Sequence, residues 1–344
     1  MSFPGLMAKV KTLNSKILTK DEIRKLLSAK DLQDVIKQLA DNPKLSLSTE
    51  RDLSKLHRRD IEILLRRKMI DDFYNIYFYL PVDGKKFFKF MERRFEIENI
   101  KHVLRVLHLK KPETIDETKF FPLKHPEIDP KSLLNVKTME GLIKLLKDSY
   151  YYSIIESSYE TYVKNNHIEM LLNSLDFWYF MSMKKVLKSL PGYGGGIKKI
   201  FYIQTDLTNI EWIYRSRILF GLDSHETLNY IIPIEGKLTK ADFSKLASSN
   251  DLDNFIENLS LTPYGEYFRN ISKDTFSYVF QRISYRVLLK YAKMLLSHTD
   301  NGLDVLGGYL YVREYEYMDI VSIIESKRYA IKKEESLDFL ILGR

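Results

Sequence analysis

Three phrases in this chain share one design and one spacing. They are RRFEIENIKHVLR at 93–105, QTDLTNIEWIYR at 204–215 and REYEYMDIVSII at 313–324. Each carries an acid, an apolar residue, a spacer, then Asn or Asp followed by Ile. Asn99, Asn209 and Asp319 are evenly separated, since 209 − 99 and 319 − 209 both equal 110. The same step links Ile100, Ile210 and Ile320, and the acids Glu96, Asp206 and Glu316. A fixed period of this length is the signature of a repeated structural unit, and it limits the chain to architectures built from three alike parts.

Positions outside the phrases keep the step. Thr19, Asp129 and Thr239 are spaced by it, and each reads as a helix N-cap. Thr19 stands three before Glu22, and Thr239 three before Asp242, the spacing of a capping box. Asp129 precedes Pro130, a favoured first helical residue. A second series, Ser28, Thr138 and Ser248, is expected to cap the next short helix in each copy. Longer segments follow, with apolar residues at helical spacing, and then the helix that holds the repeated phrase. Its apolar stripe is Ile97, Ile100, Val103, Leu104 and Leu107 in the first copy. The second has Leu207, Ile210, Ile213 and Tyr214, and the third Tyr317, Ile320, Ile323 and Ile324. Phe121-Pro122 and Ile232-Pro233 mark the joins, because proline forbids helix continuation. No convincing alternating pattern for β-strands is present. The expected fold is all-α, with helical repeats over 1–115, 116–226 and 227–344.

Composition supports a packed interior, at 44% apolar and 13% aromatic residues. The aromatic runs at 150–152 and 177–180 are read as core. Fifty-four Lys and Arg against 46 Asp and Glu leave a charge of +8, dispersed in pairs such as Arg66-Arg67 and Lys198-Lys199. This balance suits an anionic partner, although a solvated surface is the simpler reading and the favoured one. The absence of cysteine excludes disulfides and thiolate chemistry. No signal peptide and no apolar run of membrane-spanning length is seen, so the expectation is an intracellular protein, soluble or resting on a membrane.

No catalytic constellation emerges. Gly192 to Gly196 lack both the Lys-Ser/Thr of a phosphate loop and a preceding strand, so an interhelical loop is expected. The seven histidines lack the paired spacing of a helical zinc site. No metal, cofactor or catalytic residue is therefore expected. The Asn99, Asn209 and Asp319 set lies beside an apolar stripe, and burial there demands hydrogen bonds, with backbone at a helix joint the expected partner. Three equivalent ligand sites form the sharper alternative, weakened because Asn and Asp are not interchangeable in a charged site.

Three alike units without chemistry suit a scaffold. They either stack as an open solenoid or close about a pseudo-threefold axis. Three is few for a solenoid, and the end copies resemble the middle one, which favours closure. FEIENIKHVLR, DLTNIEWIYRSR and REYEYMDIVSII, with YIIPIEGKLT after the second, resemble the C subunit of V/A-type rotary ATP synthases and ATPases, a relative of the d subunit of eukaryotic V-type ATPases. The resemblance runs from KVKTLNSKILT to IKKEESLDFLIL. It implies an all-helical, threefold pseudosymmetric funnel without an active site. It further implies a protein peripheral to the cytoplasmic face of the membrane, joining the central shaft subunits to the membrane rotor ring. Asp319, where the other phrases have Asn, puts strict equivalence of the three positions in question. The competing reading is a basic helical adaptor for nucleic acid, which predicts salt-sensitive binding.

Overall fold

The computed structural model describes residues 3–47, 56–190, 195–269 and 271–344, and among these no residue lies in a β-strand. In chain order, α1 (Pro4–Asn14) leads to two short helices, α2 (Lys20–Leu27) and α3 (Leu32–Ala40). Two long ones follow, α4 (Arg58–Tyr77) and α5 (Val82–His108). The pattern returns as α6 (Pro130–Leu134), α7 (Met139–Leu145), α8 (Tyr152–Asn165), α9 (Glu169–Lys188) and α10 (Gly195–Tyr214). After α11 (Ser224–Asn229) it returns again as α12 (Lys240–Ala247), α13 (Leu252–Ser260), α14 (Gly265–Phe268), α15 (Lys273–His298) and α16 (Gly302–Arg328), with α17 (Lys333–Asp338) last. The repeated phrases lie on α5, α10 and α16. Of the Gly192–Gly196 loop, Gly192 to Gly194 fall outside the described residues. Gly195 and Gly196 are helical rather than looped and open α10.

Local chemistry starts the short helices. Thr19 caps α2 by accepting from the Glu22 N–H, while Glu22 accepts from the Thr19 N–H at 2.7 Å. Thr239 and Asp242 form the same reciprocal box on α12. Asp129 accepts from the Lys131 N–H, with Pro130 as first residue of α6. The second series departs from expectation. Thr138 caps α7, but Ser28 and Ser248 close α2 and α12, and the N-caps of α3 and α13 are Asp31 and Asp251. Ser28 turns its hydroxyl back to the Arg24 carbonyl, which leaves the next cap to a residue with extended backbone. In the second copy, the residue aligned with Asp31 and Asp251 is Gly141, which has no side chain. The cap falls to Thr138 and the helix begins one turn earlier.

The chain groups into two compact units. Met1–Arg58 with Gly192–Arg344 form one, and Arg59–Pro191 the other, so neither unit coincides with a single sequence repeat. The cause is a packing offset. Within the second unit α5 packs on α6 and α7; within the first, α10 packs on α11 and α12, and α16 on α2 and α3. Each phrase-bearing helix thus packs on the short helices one period onward as well as on long neighbours, and its stripe is buried. The exception is Tyr317, which is half-buried. Aromatic rings add to the interiors. Phe73 meets Phe95 and Tyr74 meets Phe88, at centroid distances of 5.7 and 5.9 Å, fixing α4 to α5.

All three phrase-bearing helices end alike, with one internal difference. Lys110, Gly221 and Ala330 take positive φ (55°, 67° and 52°) just past the helix. The following N–H closes the end: Lys111 to Val106, Leu222 to Ser216, Ile331 to Ser326. The middle closure spans one more residue than the others. A π-helical turn at Arg215–Leu219 takes up this extra residue. Gly221 therefore stands 111 beyond Lys110, one residue past the exact period.

Candidate functional site

The repeated phrases place two polar positions on each helix, and both are buried. Glu96 accepts from the Ile128 N–H at 2.8 Å and from the Tyr151 hydroxyl at 2.6 Å. Asp206 accepts from the N–H groups of Lys237 (2.6 Å) and Leu238 (3.2 Å) and from the Tyr264 hydroxyl (2.8 Å). Glu316 accepts from the Leu18 N–H at 2.6 Å and pairs with the buried Arg313. Leu18, Ile128 and Leu238 are themselves spaced by 110, and each immediately precedes the first helix cap of its copy. Each acid therefore holds the entry to the short helices one period on, and the third acid holds the entry to the first. Two further bonds tie the same ends: Lys327 Nζ to the Ala29 carbonyl at 2.6 Å, and Arg24 Nε to the Gly343 carbonyl at 2.8 Å.

These acids sit where ionisation is costly. Burial raises the carboxyl groups of Glu96 and Asp206 above the usual range, opposed by the bonds from tyrosine and backbone. Burial and the facing acid push the phenols of Tyr151 and Tyr264 up, so both remain donors. Gly236 is required beside Asp206, because a Cβ there would lie 2.5 Å from the carboxylate Oδ2. No tyrosine precedes Tyr74 in the chain, so the first copy's short helices supply no phenol to the third acid. Arg313, one turn back on α16, donates instead. Its counterpart Ile203 is apolar. Its counterpart Arg93 lies 4.3 Å from the Tyr150 ring and pairs with Glu127 at 3.6 Å. Tyr150 is itself exposed, unlike its neighbour Tyr151, which corrects the reading of this run as wholly core.

The Asn and Asp positions grip the segment that returns from each helix end. Asn99 accepts from the Phe121 N–H at 2.7 Å and donates to the Phe121 carbonyl at 3.1 Å. Asn209 does the same with Ile232, at 2.8 and 2.9 Å. Asp319 instead accepts from the N–H groups of Ile341 (2.6 Å), Leu342 (2.7 Å) and Gly343 (3.0 Å). The adjacent Ile100, Ile210 and Ile320 are completely buried and hold each helix face in register. The side chain matches what the returning backbone offers. Phe121 and Ile232 are each followed by proline, which has no N–H, so one donor and one carbonyl are available and an amide satisfies both. No proline follows Ile341; three N–H groups converge, and only a carboxylate can accept them all.

The tyrosines, Arg313 and Asp304 were not visible in the period. Tyr151 and Tyr264 are 113 apart rather than 110. Asp304 accepts from the N–H groups of Gly196 (3.1 Å) and Ile197 (2.8 Å), which caps α10 from α16. A Cβ on Gly196 would lie 3.0 Å from the Asp304 carboxylate, so glycine eases this close approach. Among the described residues, no three His, Asp or Glu side chains gather as a metal would need. His108 bonds the Tyr162 hydroxyl at 3.0 Å, and His102 is half-buried, its pKa lowered first by burial. Lys101 pairs with Asp176 and Glu98 inside the Arg59–Pro191 unit. The acids and amides of the repeated phrases form structural ties to backbone. None of the described helices is long and apolar enough to cross a membrane.

Known proteins resemble this chain in sequence over most of its length. The C subunit of the A-type ATP synthase of Methanocaldococcus jannaschii is 21% identical over 339 residues, covering 97% of this chain and 85% of that protein. Its counterpart in Thermococcus kodakarensis is 24% identical over 283 residues, 79% of this chain and 71% of that protein. The counterpart in Pyrococcus abyssi is 21% identical over 338 residues, covering 97% and 88%. Residues 6–339 match the family described as ATP synthase (C/AC39) subunit, and the chain belongs to that family.

Proposed function

We propose that this chain is a non-catalytic central-stalk subunit of a V/A-type rotary ATP synthase or ATPase, coupling the shaft subunits to the membrane rotor ring. In this reading 1–115, 116–226 and 227–344 are three repeats closed about a pseudo-threefold axis as a funnel, on the cytoplasmic face of the membrane. The observation that carries it is the bond from Leu18 to Glu316, 298 residues apart in sequence. An open array of three copies leaves its first entry and last acid unpaired. Here the last acid is used on the first entry, as the other two are used on theirs.

A coupler must transmit torque without internal slip. Buried carboxylates gripping backbone amides resist sliding between neighbouring helices, because displacement strands a charge in an apolar interior. Close packing of the isoleucine stripes supplies stiffness. A funnel gives two separate interfaces, an inner wall for the shaft and a rim for the ring. ATP chemistry and ion translocation then belong to other subunits.

The test is the intact complex with and without this chain. The complex lacking it is expected to hydrolyse ATP in its head while pumping no ions, and the isolated chain is expected to hydrolyse none. Normal pumping per ATP by a complex lacking the chain overturns the proposal.

A further inference from the structure

The turn between α4 and α5 exposes more apolar surface than its fold requires. Phe78 is 85% exposed, Tyr79 47% and Val82 73%, all within five residues at the tip of a helical hairpin. Leu80, between them, is buried and anchors the turn. Single exposed apolar residues need no explanation, but three on one tip do. The corresponding positions in the other two copies are polar or minimal: Lys188, Ser189 and Gly192, then His298, Thr299 and Gly302. At these three positions the other two copies carry no large apolar side chain, so the exposed cluster is particular to the first copy.

The α5 side of the tip is basic, whereas α4 brings Asp71 and Asp72, paired with Lys124 and Lys68, two turns behind it. Lys85, Lys86 and Lys89 follow within two turns, against the single acid Asp83, which already lies 3.8 Å from Lys86. Lys85 Nζ lies 5.3 Å from the Tyr77 ring, beside Phe78. Aromatic and aliphatic groups at the apex, with lysines one or two turns behind, suit the boundary between acyl chains and anionic headgroups. The rings enter, and the long lysine side chains extend to the phosphates. A protein partner fits less well. Lysine is depleted at protein interfaces, and a five-residue convex tip offers little of the roughly 800 Å² per side that a stable one buries.

We propose that the α4–α5 tip, through Phe78, Tyr79 and Val82 with Lys85, Lys86 and Lys89, inserts shallowly into an anionic lipid surface. The inference does not depend on the rotor reading, since it rests on the tip alone.

Co-sedimentation of the full chain with lipid vesicles tests it, using phosphatidylcholine alone and phosphatidylcholine doped with phosphatidylglycerol. Binding is expected on the doped vesicles and only weakly on the neutral ones. Phe78→Ser with Val82→Ser should weaken it roughly tenfold or more. Lys86→Glu with Lys89→Glu should remove the anionic preference, roughly fivefold per lysine. Phe78→Trp should give a blue-shifted emission when doped vesicles are added, a readout that reports the tip itself. An unshifted emission, or binding unchanged by the serine substitutions, overturns the proposal. So does loss of attachment to a purified rotor ring by serine variants that still bind vesicles, since the tip would then be a protein contact. The vesicles hold no other protein, so failure here leaves the coupling proposal standing.

Discussion

Asn209 and Asp319 occupy the same place in the period on two helices and grip corresponding returning segments, yet with different bonding. Asn209 gives one hydrogen bond and takes one; Asp319 only takes, from three N–H groups. The difference originates twenty-odd residues away, in whether proline follows the gripped residue. A position that looks variable in the repeated phrase is therefore determined by its partner's backbone. Repeat symmetry is kept in where the bond is made and given up in which group makes it.

The most damaging way to break this comparison is to exchange the chemistries. Asn209→Asp sets a buried carboxylate against the Ile232 carbonyl, with no proline N–H to compensate. The expected loss is about 3–5 kcal/mol of unfolding free energy at neutral pH. Protonation of the new acid restores a donor, so the loss should shrink on acidification. Urea titration at two pH values measures both effects. A loss under about 1 kcal/mol would mean that the proline does not dictate the amide.

The acids offer a second contrast, between a neutral donor and a charged one. Arg313→Met leaves Glu316 buried without its cation, an expected loss of about 3 kcal/mol. Tyr151→Phe removes one hydrogen bond to Glu96, which keeps the Ile128 amide, for about 2 kcal/mol. If the two losses came out equal under the same denaturant protocol, the third clasp would be no more electrostatic than the first.

What the sequence disclosed, and what it concealed, follows from the range of each interaction. The caps at Thr19, Asp129 and Thr239 were legible because donor and acceptor lie two or three residues apart. The helical class and the burial of Ile100, Ile210 and Ile320 were legible because periodicity records burial directly. Ser28 and Ser248 misled because two plausible caps stood three residues apart, and only Gly141 in the middle copy shows which one is dispensable. Tyr151 and Tyr264 escaped because their helices begin three residues out of register. The reach from Glu316 to Leu18 was concealed because no local pattern encodes a bond across nearly the whole chain.

Asp319→Asn tests the amide-carboxylate contrast from the other side, with a smaller effect. One amide oxygen cannot accept three N–H groups, and about 1–2 kcal/mol should be lost at neutral pH. The pH dependence has a definite sign. Burial raises the Asp319 carboxyl from 3.8 to about 6. A pKa higher in the folded than in the unfolded state means the native protein holds the extra proton. The stability linked to this group is then fully present below about pH 4 and is lost as pH rises through about 6. The asparagine variant lacks that slope, so its deficit against the natural protein should be larger at pH 4.5 than at pH 7. A deficit that grows with pH would show that the three N–H bonds outweigh burial.

The smallest effect separates true caps from apparent ones. Thr19→Ala removes the acceptor for the Glu22 N–H at the start of α2, and Thr138→Ala does the same for Gly141 at α7. Each should cost about 1 kcal/mol. Ser28→Ala removes only a hydroxyl that bonds back to the Arg24 carbonyl on an exposed helix end, and should stay within about 0.5 kcal/mol. Asp31→Ala, three residues on, should behave like Thr19→Ala. This ordering is informative because Ser28 and Thr138 are exact counterparts in the period. If thermal midpoints fell equally for Ser28→Ala and Thr138→Ala, position in the repeat would decide the cap. The expected inequality says instead that the decision lies with the residue three further on, aspartate in the outer copies and glycine in the middle one.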